Sequence, residues 1–147
     1  MLERKLTNDY IRGLVEGEGS FTFSKNKRHD GTSIRVPSFQ IKMHIRDKAL
    51  LEGMRDHLGL GNQIYIYNYQ GKDGSKRAPT ATLIVRDFGS LKNIIIPFFY
   101  NKLASNKAVQ FKEWLNKIAE DPLVPESYHL LYRLHKSGYY AKNPKFD

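Results

Sequence analysis

Four stretches of this chain alternate apolar and polar residues, and a helical pattern divides them into pairs. Ser20–Ser24 sets Phe21 and Phe23 against Ser20, Thr22 and Ser24. Val36, Phe39, Ile41, Met43 and Ile45 have Ser38, Gln40, Lys42 and His44 between them. Residues 62–70 set Ile64 and Ile66 against Gln63, Tyr65, Tyr67 and Tyr69, and residues 80–86 set Ala81, Leu83 and Val85 against Thr80, Thr82, Ile84 and Arg86. A period of two means strands with one buried face. The charged stretch Lys25–Ser33, with its Asp30-Gly31 turn signal, reads as the loop of a first hairpin, and Gly71–Lys76 as the loop of a second. Between the pairs, Asp47 can cap a helix over Lys48–Leu58 with Leu50, Leu51, Met54 and Leu58 at helical spacing, and Gly59-Leu60-Gly61 stops it. Another helix, capped by Thr7 or Asn8, precedes the first strand and ends near Gly19. Helical patterns follow over 88–96 and 105–119, with a last helix from Ser127 to about Lys136. The tail from Ser137 is expected to be poorly ordered. The order α-β-β-α-β-β-α-α predicts an α+β fold, a four-stranded antiparallel sheet with helices on one face.

The second face of that sheet is made of Ser, Thr, Gln, Tyr, Lys and Arg, so helices should not cover it. The chain carries 24 Lys+Arg against 15 Asp+Glu, a net charge of +9, and its pI is near 9.7. A basic, polar and aromatic sheet face on such a chain suggests a nucleic-acid partner, with cations on phosphates and polar groups at base edges. At 147 residues the chain reads as one domain, 1–147. Cysteine is absent, which excludes disulfides, thiolate metal sites and cysteine nucleophiles. No apolar run approaches the roughly 18 residues of a spanning helix, and the charged start resembles no secretory signal. The expectation is an intracellular protein, compartment open, with no membrane and no small-molecule substrate.

The first helix is physically odd. Gly13 and Gly17 lie four residues apart on one face, and each glycine costs about 1 kcal/mol against alanine. That spacing lets another backbone approach closely. Glu16 and Glu18 fall in the last turn, at the negative pole of the helix dipole. A divalent cation held by a carboxylate and free terminal carbonyls would offset these costs.

Ile11-Arg12-Gly13-Leu14-Val15-Glu16-Gly17-Glu18-Gly19-Ser20-Phe21 resembles the LAGLIDADG motif of homing endonucleases. Ser38–His44, Asp47, Leu50-Leu51 and Leu58–Asn62 resemble the second block of that family. Phe88, Leu91, Ile95, Pro97-Phe98, Lys107 and Phe111 resemble the third. The resemblance covers about residues 8–118, the core of the expected domain. It implies the family's saddle-shaped sheet and metal-dependent hydrolysis of DNA. The motif occurs once, which implies a homodimer joined through Gly13 and Gly17. Glu18 holds the position of the metal-binding acid, with the Gly17 carbonyl assisting; Glu16 is expected to be structural. The implied cation is Mg²⁺, or another divalent such as Mn²⁺, with Ca²⁺ supporting binding but not cleavage. Lys107 occupies the third-block lysine beside the scissile phosphate, and His44 is the second candidate there. Where some members carry a glutamine near the metals, Met43 or Ile45 falls nearest.

By the same resemblance both hairpins enter the major groove of double-stranded DNA. Parity selects Ser20, Thr22, Ser24, Asn26, Arg28, Arg35, Ser38, Gln40, Lys42, Gln63, Tyr65, Tyr67, Lys76, Arg77, Thr80 and Thr82 as contacts, with Lys25, Lys27 and Lys72 as phosphate clamps. A symmetric dimer implies a long, near-palindromic target. The family cuts across the minor groove, leaves short 3′ overhangs and is encoded within introns or inteins. A non-catalytic intron maturase or DNA-binding regulator on the same scaffold is the alternative; a basic ribosome-associated or RNA-packaging protein would not need Gly13, Gly17 and Glu18 on one helix. Residues 120–147 carry no assignment: they clamp flanking phosphates or pack on the core.

Overall fold

The structure, a computed structural model, describes residues 2–68, 74 and 77–147. Helix α1 spans Asn8–Glu18, and Thr7 is its cap, the Oγ1 accepting the Tyr10 N–H at 3.1 Å. Its buried side is Ile11, Arg12 and Val15. The chain turns to extended backbone at Gly19, and nothing larger fits there: a Cβ would lie 2.7 Å from Val15 Cγ1 and 3.0 Å from Val15 O. Strand β1 (Gly19–Lys27) leaves at once and pairs antiparallel with β2 (Ser33–His44). The first hairpin is longer than the sequence suggests. Lys25–Lys27 and Ser33 are ladder residues, and the turn is confined to 28–32, where Arg28 N–H bonds Thr32 O at 2.9 Å. Helix α2 (Lys48–Leu58) ends at Gly59, whose φ of 75° lets the Leu60 N–H reach back to Arg55 O. Strands β3 (Ile64–Tyr67) and β4 (Thr80–Val85) complete a four-stranded antiparallel sheet in the order β1-β2-β4-β3.

One face of this sheet makes the core. Phe21 pairs with Phe39, and Ile41 with Leu83, and all four are buried. The Phe21 ring meets Phe39, Phe99, Phe111 and Trp114 at centroid distances of 5.4, 5.6, 4.8 and 5.4 Å. Trp114 lies on α5 (Asn106–Glu120), and its Nε1–H donates to Thr22 O at 2.7 Å, fastening that helix to β1. Ile66 departs from the expected pattern. It faces the helix side with Ala81 yet is 42% exposed, because β3 is an edge strand and the helices stop short of it. Among the described residues no helix is long and apolar enough to cross a membrane.

The helical pattern over 88–96 proves to be three joined segments, α3 (Phe88–Ser90), a π-helical stretch (Leu91–Ile95) and α4 (Ile96–Phe99). Pro97 has no N–H to give, so carbonyls in the preceding turn need other donors. The tail supplies them. Tyr140 Oη donates to Lys92 O at 3.0 Å and Lys145 Nζ to Asn93 O at 2.9 Å. The expectation of a loose tail is therefore corrected. Helix α6 (His129–Lys136) packs on α5, α7 (Tyr139–Lys142) buries Tyr140, and Phe146 sets its ring 5.3 Å from Phe98. The Asp147 carbonyl accepts from Arg12 Nη1, whose Nε donates to Phe98 O at 3.0 Å. Tyr140→Ala is expected to destabilise the protein by about 3–5 kcal/mol, the range for emptying a buried aromatic site. Urea unfolding checks this; a loss under about 0.5 kcal/mol, as for a surface position, would show an undocked tail.

Candidate active site

The site lies where α1 ends and α5 begins. Both helix ends carry charges of the disfavoured sign, acids at the C-terminus of α1 and a lysine in the first turn of α5. The two ends meet and neutralise each other. Glu16 Oε1 accepts the Ala104 N–H at 2.7 Å and the Ser105 N–H at 2.6 Å. Ser105 caps α5, its Oγ accepting the Lys107 N–H at 3.2 Å. Lys107 Nζ returns to the first helix and donates to Gly19 O at 2.6 Å, and to Gln110 Oε1 at 3.2 Å.

Hydrogen bonds from the Ser105 and Ala104 amides hold the Glu16 carboxyl below its ordinary value of 4.5. A depressed folded pKa stabilises above the unfolded value and is lost as pH falls through the folded one. Wild type should therefore lose stability more steeply than Glu16→Gln as pH drops below about 4.5, read by denaturant unfolding across that range. Parallel curves would place no stabilising charge at Glu16.

Glu18, the last residue of α1, is exposed, and its carboxylate has no hydrogen bond or ion pair among the described residues. Gly17 precedes it, with a carbonyl left over at the helix end. Glu18 borders a concavity of about 480 Å³ on the open sheet face, lined also by Ser20, Gln40, Lys42, Tyr67, Thr82 and Ile84. The donor set suits a hard divalent cation, since carboxylate and carbonyl oxygens are its preferred ligands. It is incomplete in one chain: among the described residues no group of three His, Cys, Asp or Glu comes together. A second copy would supply the missing carboxylate. Gly13 and Gly17 fit that requirement, being exposed with nothing within 4 Å of an added Cβ. Tyr10, 41% exposed, stands on the same helix one turn before Gly13.

The remaining sequence candidates fall into groups. On the open face, Ser20, Thr22, Ser24 and Asn26 of β1 alternate beside Gln40 and Lys42 of β2, with Tyr65 and Tyr67 of β3 opposite Thr82 and Thr80 of β4. His44 is on the same face opposite Thr80 but does not line the concavity, and its Nδ1 accepts the Arg46 N–H at 3.1 Å. Gln63 and Arg77 are exposed at strand ends, and Arg28 is in the hairpin turn. Lys25 and Lys27 are exposed but lie by register on the helix-side face. Lys72 and Lys76 lie outside the described residues. Arg35, Ser38, Thr80 and Thr82 require correction. Arg35 pairs with Lys25 on the helix side, and its Nε is 3.4 Å from Asp121 Oδ2, so it ties β2 to the end of α5. Ser38 is on the open face but fully covered, its Oγ accepting from Gln40 Nε2 at 3.1 Å. Thr80 and Thr82 have the open face's parity, but their hydroxyls are buried and present no group to a base edge. The sequence reading missed Gln110 and the Ala104–Ser105 amides. The signal was present in Lys107 itself, a cation placed in the first turn of a helix.

A family model described as LAGLIDADG endonuclease matches residues 11–118. The Neurospora crassa protein called "Probable intron-encoded endonuclease 2" is 34% identical over 123 residues, which are 79% of this chain and 25% of that protein. The crystal structure of the I-SmaMI LAGLIDADG homing endonuclease bound to cleaved DNA is similar over 94% of this chain and 46% of its own, with TM-score 0.62 and 25% identity. The homing endonuclease I-TnaI shares the fold over 91% of this chain and 99% of its own, with TM-score 0.56 and 24% identity. The chain thus spans a quarter of the Neurospora crassa relative and just under half of I-SmaMI. The match to the family model runs from the first helix to the end of α5, through every element that builds the site, and the chain belongs to the LAGLIDADG endonuclease family.

Proposed function

We propose that this chain is a site-specific DNA endonuclease that acts as a homodimer and makes metal-dependent double-strand breaks in a long, near-palindromic duplex. The observation that carries the reading is Glu18, an exposed carboxylate without a partner among the described residues, at the rim of an open basic sheet face and one residue from the carbonyl that Lys107 holds.

The sheet faces of two copies bind the duplex. Lys42 and Arg28 take phosphates, and Gln40, Ser20, Thr22, Tyr65 and Tyr67 reach base edges. The copies join through the Gly13 and Gly17 faces of α1, which brings one Glu18 from each to the dyad. Two carboxylates so close repel unless cations lie between them. Glu18 and the Gly17 carbonyl of each copy would hold the divalent ions, Mg²⁺ or Mn²⁺, and when bound these would supply Lewis-acid polarisation of the phosphate and a water of lowered pKa. An ammonium has three donors. Lys107 spends two on Gly19 O and Gln110 Oε1 and turns the third toward the scissile phosphate, where it stabilises the charge that develops on the phosphoryl oxygens. Ca²⁺ supports duplex binding without cleavage.

Lys107→Ala should lower the single-turnover cleavage rate by about a hundredfold, as loss of one charge-stabilising donor does, and leave duplex affinity in Ca²⁺ nearly unchanged. An equal loss in affinity would make Lys107 a binding group instead. The reading as a whole is tested by capturing random duplexes in Ca²⁺ and footprinting the enriched pool. The expected pool is near-palindromic and protected on both halves. A pool with no enriched sequence, or protection of one half only, overturns it.

A further inference from the structure

We propose that Glu16 is a positioning residue for Lys107, holding the lysine ammonium on the Gly19 carbonyl, one residue along the chain from Glu18, through a closed circuit of contacts between the two helix ends. The inference rests on the functional reading above for its consequence in cleavage, but its geometry stands without it. One oxygen of Glu16 takes the N–H groups of both Ala104 and Ser105, at 2.7 and 2.6 Å. Ser105 is the residue whose Oγ caps the first turn of α5 at the Lys107 N–H. Lys107 Nζ then donates back to Gly19 O at 2.6 Å. The chain from Gly19 to Glu16 closes the ring, and Glu18 sits on that arc. Gln110 adds a second acceptor for the ammonium at 3.2 Å, one helical turn along α5.

The circuit answers a specific difficulty. A lysine in the first turn of a helix is repelled by the positive end of the dipole. Its flexible four-carbon stem has many rotamers that lead into solvent. The helix start must therefore sit at a fixed distance from Gly19 for the ammonium to stay on that carbonyl. Among the described residues, the Glu16 carboxylate makes the side-chain bonds that join α1 to the segment carrying Ser105. Catalytic placement tolerates little error, since a displacement near 1 Å can cost about a hundredfold in rate.

The test compares wild type with Glu16→Ala, which removes the acceptor of both bonds. In uniformly ¹⁵N-labelled protein, a lysine ammonium held in hydrogen bonds exchanges slowly and gives a resolved signal; that of Lys107 is assigned by its disappearance in Lys107→Ala. The expected result is a Lys107 signal in wild type that vanishes or merges with exposed lysines in Glu16→Ala. The cleavage readout uses the duplex recovered by capture. Glu16→Ala should lower the single-turnover rate about tenfold or more, with affinity in Ca²⁺ within about twofold. In a Lys107→Ala background the same change should have almost no further effect, because residues acting as one unit are non-additive. An unchanged Lys107 signal in Glu16→Ala, or losses that multiply in the double variant, overturns the proposal. Should wild type cut no duplex, the functional reading fails while the ammonium signal still decides the positioning. Should Glu16→Ala not fold, Glu16→Asp, one methylene short of the 104–105 amides, must lose the same signal.

Discussion

Replacing Glu18 by glutamine is expected to abolish cleavage, by about a thousandfold or more, while the protein folds and still binds its duplex. The magnitude follows from the role. In the proposed role the carboxylate would hold the ions that polarise the phosphate and activate water, and such transition-state stabilisation is worth several kcal/mol. Intact folding follows from exposure: the Glu18 side chain bonds to nothing else among the described residues, and substitutions at such positions change stability by about 0.5 kcal/mol at most. Removing a negative charge from the C-terminus of α1 should even gain a few tenths of a kcal/mol. The variant should also bind duplex in EDTA at least as well as wild type, since two Glu18 carboxylates no longer repel at the dyad. Single-turnover cleavage, thermal unfolding and a binding titration separate these outcomes. Loss of folding, or full cleavage by the variant, would remove Glu18 from the site.

The second large effect is a pair of opposite signs from one substitution. Gly17→Leu should stabilise the isolated subunit and destroy the enzyme. A Cβ at Gly17 meets nothing within 4 Å, so the helix gains close to the full propensity difference, about 0.8 kcal/mol. In the proposed dimer the same side chain would enter a seam that needs close backbone approach, twice by symmetry. Overpacking of that kind costs about 1–3 kcal/mol at each site, which at two sites weakens dimerisation by about thirtyfold to about twenty-thousandfold. Gly13→Leu should behave alike, for the same open space and the same face. Sedimentation and thermal unfolding at low protein concentration read the two terms separately. A variant that stays dimeric and cuts DNA would show that α1 is not the seam.

Much of this arrangement is legible in the sequence because it depends on periodicity. The alternation of Phe21 and Phe23 with Ser20 and Thr22 records which face of a strand is buried, and the sheet register follows it. Glu16 and Glu18 stand out as charges at the wrong end of a helix, while Lys107 is found only through its resemblance to the third block of the family. What was illegible depends on contacts far apart in the chain. Arg35 shares the register parity of Phe39 and Ile41, so it lies on the helix side, and only Asp121, far along the chain, shows what its charge does there. Ser38 has the open face's parity, but a short side chain between larger neighbours is covered. The π-helical stretch and Pro97 look like an ordinary helix ending in a proline. Only Tyr140 and Lys145, some fifty positions away, show how its carbonyls are satisfied. The tail read as polar and loose because its ordering contacts are single residues, Tyr140 and Phe146, with no period to betray them.

Cleavage of the captured duplex pool in Mg²⁺ and in EDTA, with the ends sequenced, decides whether this chain is a metal-dependent nuclease. Discrete ends are expected in Mg²⁺ alone, with short 3′ overhangs placed symmetrically about the centre of a near-palindrome. Intact duplexes in Mg²⁺, or cutting that persists in EDTA, would rule that nuclease out.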